Sequence, residues 1–157
     1  MKPAVERVQA AIAALGLERQ VIELDVEART SAQAAAALGV HVAQIAKSLV
    51  FTVNGAPLLV IASGVNRVDE AALGRLAGGR VKRADPDIVR QATGYAIGGV
   101  PPLAHAGPLQ IYIDRDLLQH DLVYAAAGVP ECVFPLTPDE LVRCTGGSVV
   151  DVRETPR

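Results

Sequence analysis

Ile45 to Val53 reads Ile-Ala-Lys-Ser-Leu-Val-Phe-Thr-Val, Asn54-Gly55 follows, and Leu58 to Ala62 is a continuous apolar run. Two β-rich segments separated by the dipeptide best suited to a tight hairpin turn predict a pair of antiparallel strands. The second run is apolar on both faces, which places the hairpin inside a sheet rather than at its edge. Side chains alternate along a strand, so Ile45, Lys47, Leu49, Phe51 and Val53 share one face, and Ala46, Ser48, Val50 and Thr52 share the other. Lys47 is the anomaly of this pattern. An ammonium on the more apolar face needs a partner, a wet cleft or a depressed pKa, because burying it unpaired costs roughly several kcal/mol. A lysine near the start of a strand can also snorkel to water or guard a sheet edge, and the internal position of the hairpin weakens the second alternative.

The flanking chain supplies helices and short strands. Val5, Val8, Ile12 and Leu15 recur at helical spacing, with Pro3 suited to the first turn and Gly16 to the C-terminal cap. Val21 to Val26 reads as a strand, and Thr30-Ser31-Ala32-Gln33 has the form of a capping box before an alanine-rich helix that ends near Gly39. Asp69 caps a helix through Leu76, Arg80 to Arg83 forms a short basic strand, and Asp85-Pro86 starts a helix that ends at Gly94. Further strands are expected over Leu109 to Asp114, Leu122 to Ala126, Glu131 to Leu136 and Ser148 to Val152, with a turn at Arg115-Asp116. Thr137-Pro138-Asp139-Glu140 opens a helix to about Cys144, and the tail from Arg153 is expected to fray. These elements predict an α+β fold with a mixed, largely antiparallel sheet-rich core and peripheral helices, forming one domain over residues 1–157.

Between Tyr95 and Pro108 no period survives: Tyr-Ala-Ile-Gly-Gly-Val-Pro-Pro-Leu-Ala-His-Ala-Gly-Pro is a shaped loop. Its glycines let a ligand or another backbone approach closely and its prolines fix the chain around them, so it is either a binding loop or a rigid connector.

A net charge of −2 and 3% aromatic residues argue against broad capture of nucleic acid, leaving room for a small local contact, for instance through Arg80, Lys82 and Arg83. Cys132 and Cys144 have neither Cys-x-x-Cys spacing nor a histidine cluster, so no metal and no cofactor is expected, and neither cysteine has the setting of a nucleophile. No signal peptide or membrane-length apolar run is present, which predicts a cytoplasmic protein with reduced thiols and no membrane partner. His41, His105 and His120 fall near loops, and His105 is the best placed of them for chemistry.

Three stretches together resemble the YbaK/EbsC family, the aminoacyl-tRNA deacylase domains related to the editing insertion of bacterial prolyl-tRNA synthetases. They are Gln44 to Phe51, Thr93 to Leu103, and Asp114 through Gly128 to Asp139-Glu140-Leu141. The resemblance spans nearly the whole chain. It implies a domain that hydrolyses the ester between a wrong amino acid and tRNA, most typically tRNA for proline, with a transient association with prolyl-tRNA synthetase. It identifies Lys47 with the family's site lysine and Gly98-Gly99-Val100-Pro101-Pro102 with its G-x-x-x-P loop, making Lys47 and Gly98 the catalytic candidates. Ser48, Gly99, Val100, Pro101 and Pro102 are then substrate-binding candidates, Ser48 standing where relatives often have threonine. Ala126 lies where some cysteine-specific relatives carry serine, and Val133 where the same branch can carry an acid. Those departures favour alanine or another small apolar residue at least as much as cysteine, with serine discriminated only modestly.

An aminoacyl ester is already activated, so positioning, amides near the developing oxyanion and a snug pocket suffice, with the vicinal ribose hydroxyl or the amino acid itself activating water. The absence of a proton-transfer triad keeps a second reading open, a non-catalytic module that binds tRNA ends or a regulatory ligand. A Schiff-base enzyme on Lys47 ranks last, since no acid–base partners can be assigned to it.

Overall fold

The computed structural model describes residues 2–25 and 28–155. Its centre is the hairpin: β2 (Ile45–Val53) pairs antiparallel with β3 (Ala56–Ser63) from Ala46↔Ser63 to Val53↔Ala56, and the turn uses Asn54 at φ 48° and Gly55 at φ 88°. Both turn residues lie in the left-handed region, which Asn and Gly adopt at least cost.

Around it the described residues form an eight-stranded mixed sheet in the order β1-β7-β6-β2-β3-β5-β8, with β4 also on β2. The added strands are β1 (Ile22–Glu23), β4 (Val81–Arg83), β5 (Gln110–Asp114), β6 (Val123–Ala126), β7 (Cys132–Leu136) and β8 (Ser148–Val150). Beyond β3 the pairings are parallel, β3 with β5 and β5 with β8, while β1, β7 and β6 form antiparallel pairs on the other wing.

Helices α1 (Pro3–Ala14), α2 (Ser31–Leu38), α3 (Glu70–Ala77), α4 (Pro86–Thr93) and α5 (Pro138–Thr145) cover the sheet. Side chains of Thr30, Asp69, Asp85 and Thr137 accept the amides that open α2 to α5, so each predicted cap forms. The largest core cluster joins Val5, Val8 and Ile12 of α1 to Ala46, Val50, Leu59, Ile61 and Phe134; a second, around Phe51, Leu58, Val60 and Leu73, lies under α3. Among the described residues no helix is long and apolar enough to cross a membrane.

Three expectations need correction. The first strand is only Ile22–Glu23, both exposed and paired with β7 alone; the expected extension to Val26 falls on a position outside the described residues. Arg115–Gln119 is a 3-10 turn rather than a simple reversal, because the Asp114 carboxylate accepts the Asp116 amide at its start. Arg153 does not fray: it bridges to Val68 and pairs with Asp116 at 2.9 Å.

Candidate functional site

On the edge of β2 away from β3, two different strands take turns. Tyr124 and Ala125 of β6 run parallel to Ile45 and Ala46, and Val81 to Arg83 of β4 run antiparallel to Phe51 through Val53. Between these two ladders, among the described residues, no strand lies beside Lys47 to Leu49. The Ala84 amide donates to the Val50 carbonyl, 3.1 Å, so the main-chain groups of the even-numbered residues face this side. The N–H and C=O of Ser48 therefore face the break.

A cavity of about 370 Å³ opens at the break and straddles the strand. On the Lys47 face its walls include Leu49, Phe51, Arg83, Tyr124, Ala126, Val133 and the start of α2 at Thr30 and Ser31. The Ser48 face is walled by Ala46, Val50, Ala84, Val89, Val100 and Gly98. One wall is polar and cationic and the other aliphatic, and among the described residues no carboxylate lines either. A volume of this size suits a small-molecule fragment rather than a bare ion.

Lys47 is half-buried, and its Nζ donates to the Asn66 carbonyl at 2.6 Å. Burial pushes its pKa below the usual lysine value, the Arg83 and Arg67 cations push the same way, and Asp114 opposes them. The acceptor is itself held in place. Asn66 Nδ2 donates at 2.8 Å to Asp114 Oδ2 and at 2.8 Å to Asp116 Oδ2, while Asp114, 2% exposed, also takes the Ser63 amide at 3.0 Å. The lysine thus rests on a loop pinned by a buried carboxylate.

Gly98 reaches the cavity through a turn in which the Gly99 amide donates to Ala96 O, 3.0 Å, with Gly98 at φ 85°. A left-handed third position is the signature of a type II turn, which leaves the Gly98 amide without a bond inside the turn. Among the described residues that amide has no acceptor.

Gly99 faces inward. A Cβ there would stand 2.6 Å from Gly128 O, and the Gly128 amide donates to Gly99 O at 3.0 Å, so the loop backbone lies directly on another backbone. His105 Nε2 is 2.7 Å from Pro101 O, Tyr95 Oη donates to Ala104 O at 2.9 Å, and Arg7 lies 5.0 Å over the Tyr95 ring. Burial lowers the His105 pKa, which keeps the ring neutral to brace the loop.

The structure brings Lys47, Ser48, Gly98 and Val100 to one cavity; Gly99, Pro101 and Pro102 are buried behind it. Both departure positions, Ala126 and Val133, line it on the Lys47 side. Of the basic strand only Arg83 lines the cavity, its guanidinium 5.9 Å from the Phe51 ring. Sequence reasoning missed Asn66, Thr30 and Ser31 as neighbours of the site. Asn66 stands in a Gly-Val-Asn-Arg loop directly after a buried strand, a turn signal that carries no hint of its carbonyl's role.

The profile of the aminoacyl-tRNA editing domain matches residues 25–144. The chain is 34% identical over 125 residues to the uncharacterised protein YwhH of Bacillus subtilis (strain 168), covering 79% of this chain and 80% of that one. It is 30% identical over 129 residues to the proline–tRNA ligase of Streptococcus sanguinis (strain SK36), covering 82% of this chain and 21% of the ligase. Among solved structures, that of a proposed trans-editing enzyme for prolyl-tRNA synthetase superposes with a TM-score of 0.94 at 44% identity, covering 99% of each chain.

Proposed function

Because the chain belongs to the aminoacyl-tRNA editing domain family, we propose that it is a trans-editing hydrolase that deacylates mischarged tRNA, with tRNA for proline carrying Ala, Cys or Ser as the substrate. The observation that carries this reading is the straddling cavity, lined by Lys47 and by Gly98 on either side of a strand break. The polar, cationic wall suits the terminal adenosine and its phosphate, and the aliphatic wall suits a small side chain.

In this arrangement the ester lies across the edge of β2. Lys47 exchanges its bond to the Asn66 carbonyl for one to the substrate and fixes the terminal nucleotide or the carbonyl side of the ester. As the water oxygen attacks the carbonyl carbon, the vicinal ribose hydroxyl takes a proton from it and passes its own toward the ester oxygen of the ribose. Charge that develops on the carbonyl oxygen is met by the Gly98 amide, and the C–O bond to the ribose then breaks as the ribose oxygen takes up the proton. Neither Cys132 nor Cys144 lines the cavity, and burial raises the pKa of both thiols, so neither has the setting of a nucleophile.

Incubation with tRNA for proline charged with Ala, Ser, Cys or Pro tests the reading. Release of a small wrong amino acid with Pro-tRNA spared is expected; no release from any of them would leave the non-catalytic binding module in its place.

The loop glycines give a separate test. Gly98→Ala and Gly55→Ala both force alanine to a positive φ, 85° and 88°, at a cost of about 1–2 kcal/mol each. Their melting temperatures should therefore fall together. Only Gly98→Ala should lose turnover; equal turnover in both variants would make the loop a connector.

A further inference from the structure

A chain of contacts leads from Lys47 away from the cavity to the C-terminal segment. Lys47 Nζ donates to the Asn66 carbonyl, the Asn66 side-chain amide donates to Asp114 and to Asp116, and Asp116 Oδ2 also takes Arg153 Nη1 at 2.9 Å. Two carboxylates on one amide nitrogen lie within two hydrogen-bond lengths of each other and repel, so the arrangement needs a cation beside it. Arg153 is that cation. An ion pair whose arginine side chain is 51% exposed ordinarily stabilises little, in part because a mobile side chain must be ordered to make it. Here the backbone does much of that ordering. The Asp69 amide donates to Val152 O at 2.6 Å, the Glu154 amide donates to Arg67 O at 2.8 Å, and Val152, 1% exposed, packs in the cluster around Phe51 and Leu73. Arg153 is thus strapped along Arg67 and Val68, the residues that directly follow Asn66, and it does not line the cavity.

We propose that Arg153 is a positioning residue for Lys47, acting through Asp116 and Asn66, so that the C-terminal segment sets the carbonyl on which the site ammonium rests before substrate arrives. Its effect on rate rests on the deacylase reading above; its effect on the lysine does not. A carbonyl that accepts from an ammonium favours the charged form, so loosening Asn66 should lower the Lys47 pKa further. Arg83, Arg67 and Asp114 act on the same ammonium and stay in place.

The test follows the titration of the Lys47 side chain by NMR in the free full-length protein, alongside kcat/KM on the ester of the panel that the wild type cleaves best. Arg153→Gln removes the cation, and Asp116→Asn removes the anion while keeping an oxygen for Asn66. Each should lower kcat/KM by about threefold and the Lys47 pKa by about half a pH unit, and the alkaline limb of kcat/KM, which reports the free enzyme, should move with it. The double variant should lose no more than either single one, because both act through one link. Arg153→Lys keeps a cation on the same anchored backbone and should restore both readouts. Melting temperatures should fall by no more than about 4 °C, so that folded proteins are compared. Opposite shifts of the Lys47 pKa in the two single variants would show two remote charges rather than a support, and would overturn the proposal. So would an unchanged pKa in Arg153→Gln, or losses that add in the double variant. If the lysine titrates as expected while the wild type cleaves no ester of the panel, the positioning stands and the deacylase reading falls.

Discussion

Lys47→Ala is expected to lower deacylation by at least about 10²-fold, the loss seen when one preorganised donor is taken from a reacting centre. The fold should survive, since among the described residues the ammonium bonds a loop carbonyl and its burial is unfavourable to the charge. Lys47→Arg should also be impaired, because a planar fork does not reproduce a compact ammonium in a confined site. The pH dependence follows from the lowered pKa. The charged form is the strong donor and carries the positive charge, so activity should fade on the alkaline side at a pH below the ordinary lysine value, as the folded-state pKa is crossed. Stability runs the other way. Between the depressed folded pKa and the higher unfolded one, the unfolded chain binds more protons, so this group's contribution to stability rises with pH. Lys47→Met keeps the apolar stem and should melt above the wild type at neutral pH while remaining inactive. Full activity in Lys47→Ala would remove the lysine from the mechanism.

For stability the largest effect should come from Asp114→Ala. Its carboxylate accepts the Ser63 amide at 3.0 Å, Asn66 Nδ2 at 2.8 Å and the Asp116 amide at 3.0 Å, and the residue is 2% exposed. Truncation leaves the buried Ser63 amide unpaired and frees the loop that holds Lys47. A cost of about 3 kcal/mol is expected, which lowers the melting temperature of a chain this long by about 6–12 °C. Turnover should fall as well, because the Asn66 carbonyl loses the anchor that sets the lysine. A melting temperature within about 2 °C of the wild type would show that the network is not a support.

What was legible in the sequence was whatever local pattern decides. The hairpin and the caps at Thr30, Asp69, Asp85 and Thr137 follow from residue type and spacing within a few positions, and Lys47 stood out against its own strand's alternation. The pinning of Lys47 was not legible, since it depends on the parallel pairing of β3 with β5, which sets Asp114 beside Asn66 across 48 residues of chain. The same limit hid the pairing of Arg153 with Asp116 and the break beside Ser48, which exists only because β4 and β6 share one edge of β2. The loop from Tyr95 to Pro108 was recognisable as shaped. Which of its glycines lines the cavity and which packs against backbone required Gly128, far along the chain.

The interrupted sheet edge also has a temporal meaning. Lys47 and Ser48 ride on backbone that β3 holds along its whole length, so reaching a productive arrangement asks for side-chain rotations, which take picoseconds to nanoseconds, rather than the slower closing of a flap. Gly98, by contrast, sits in a segment without regular structure, and its placement is inherited from Gly128 and α1 behind it. Both sides of the cavity are therefore set at folding, one by the sheet and the other by a backbone-on-backbone contact.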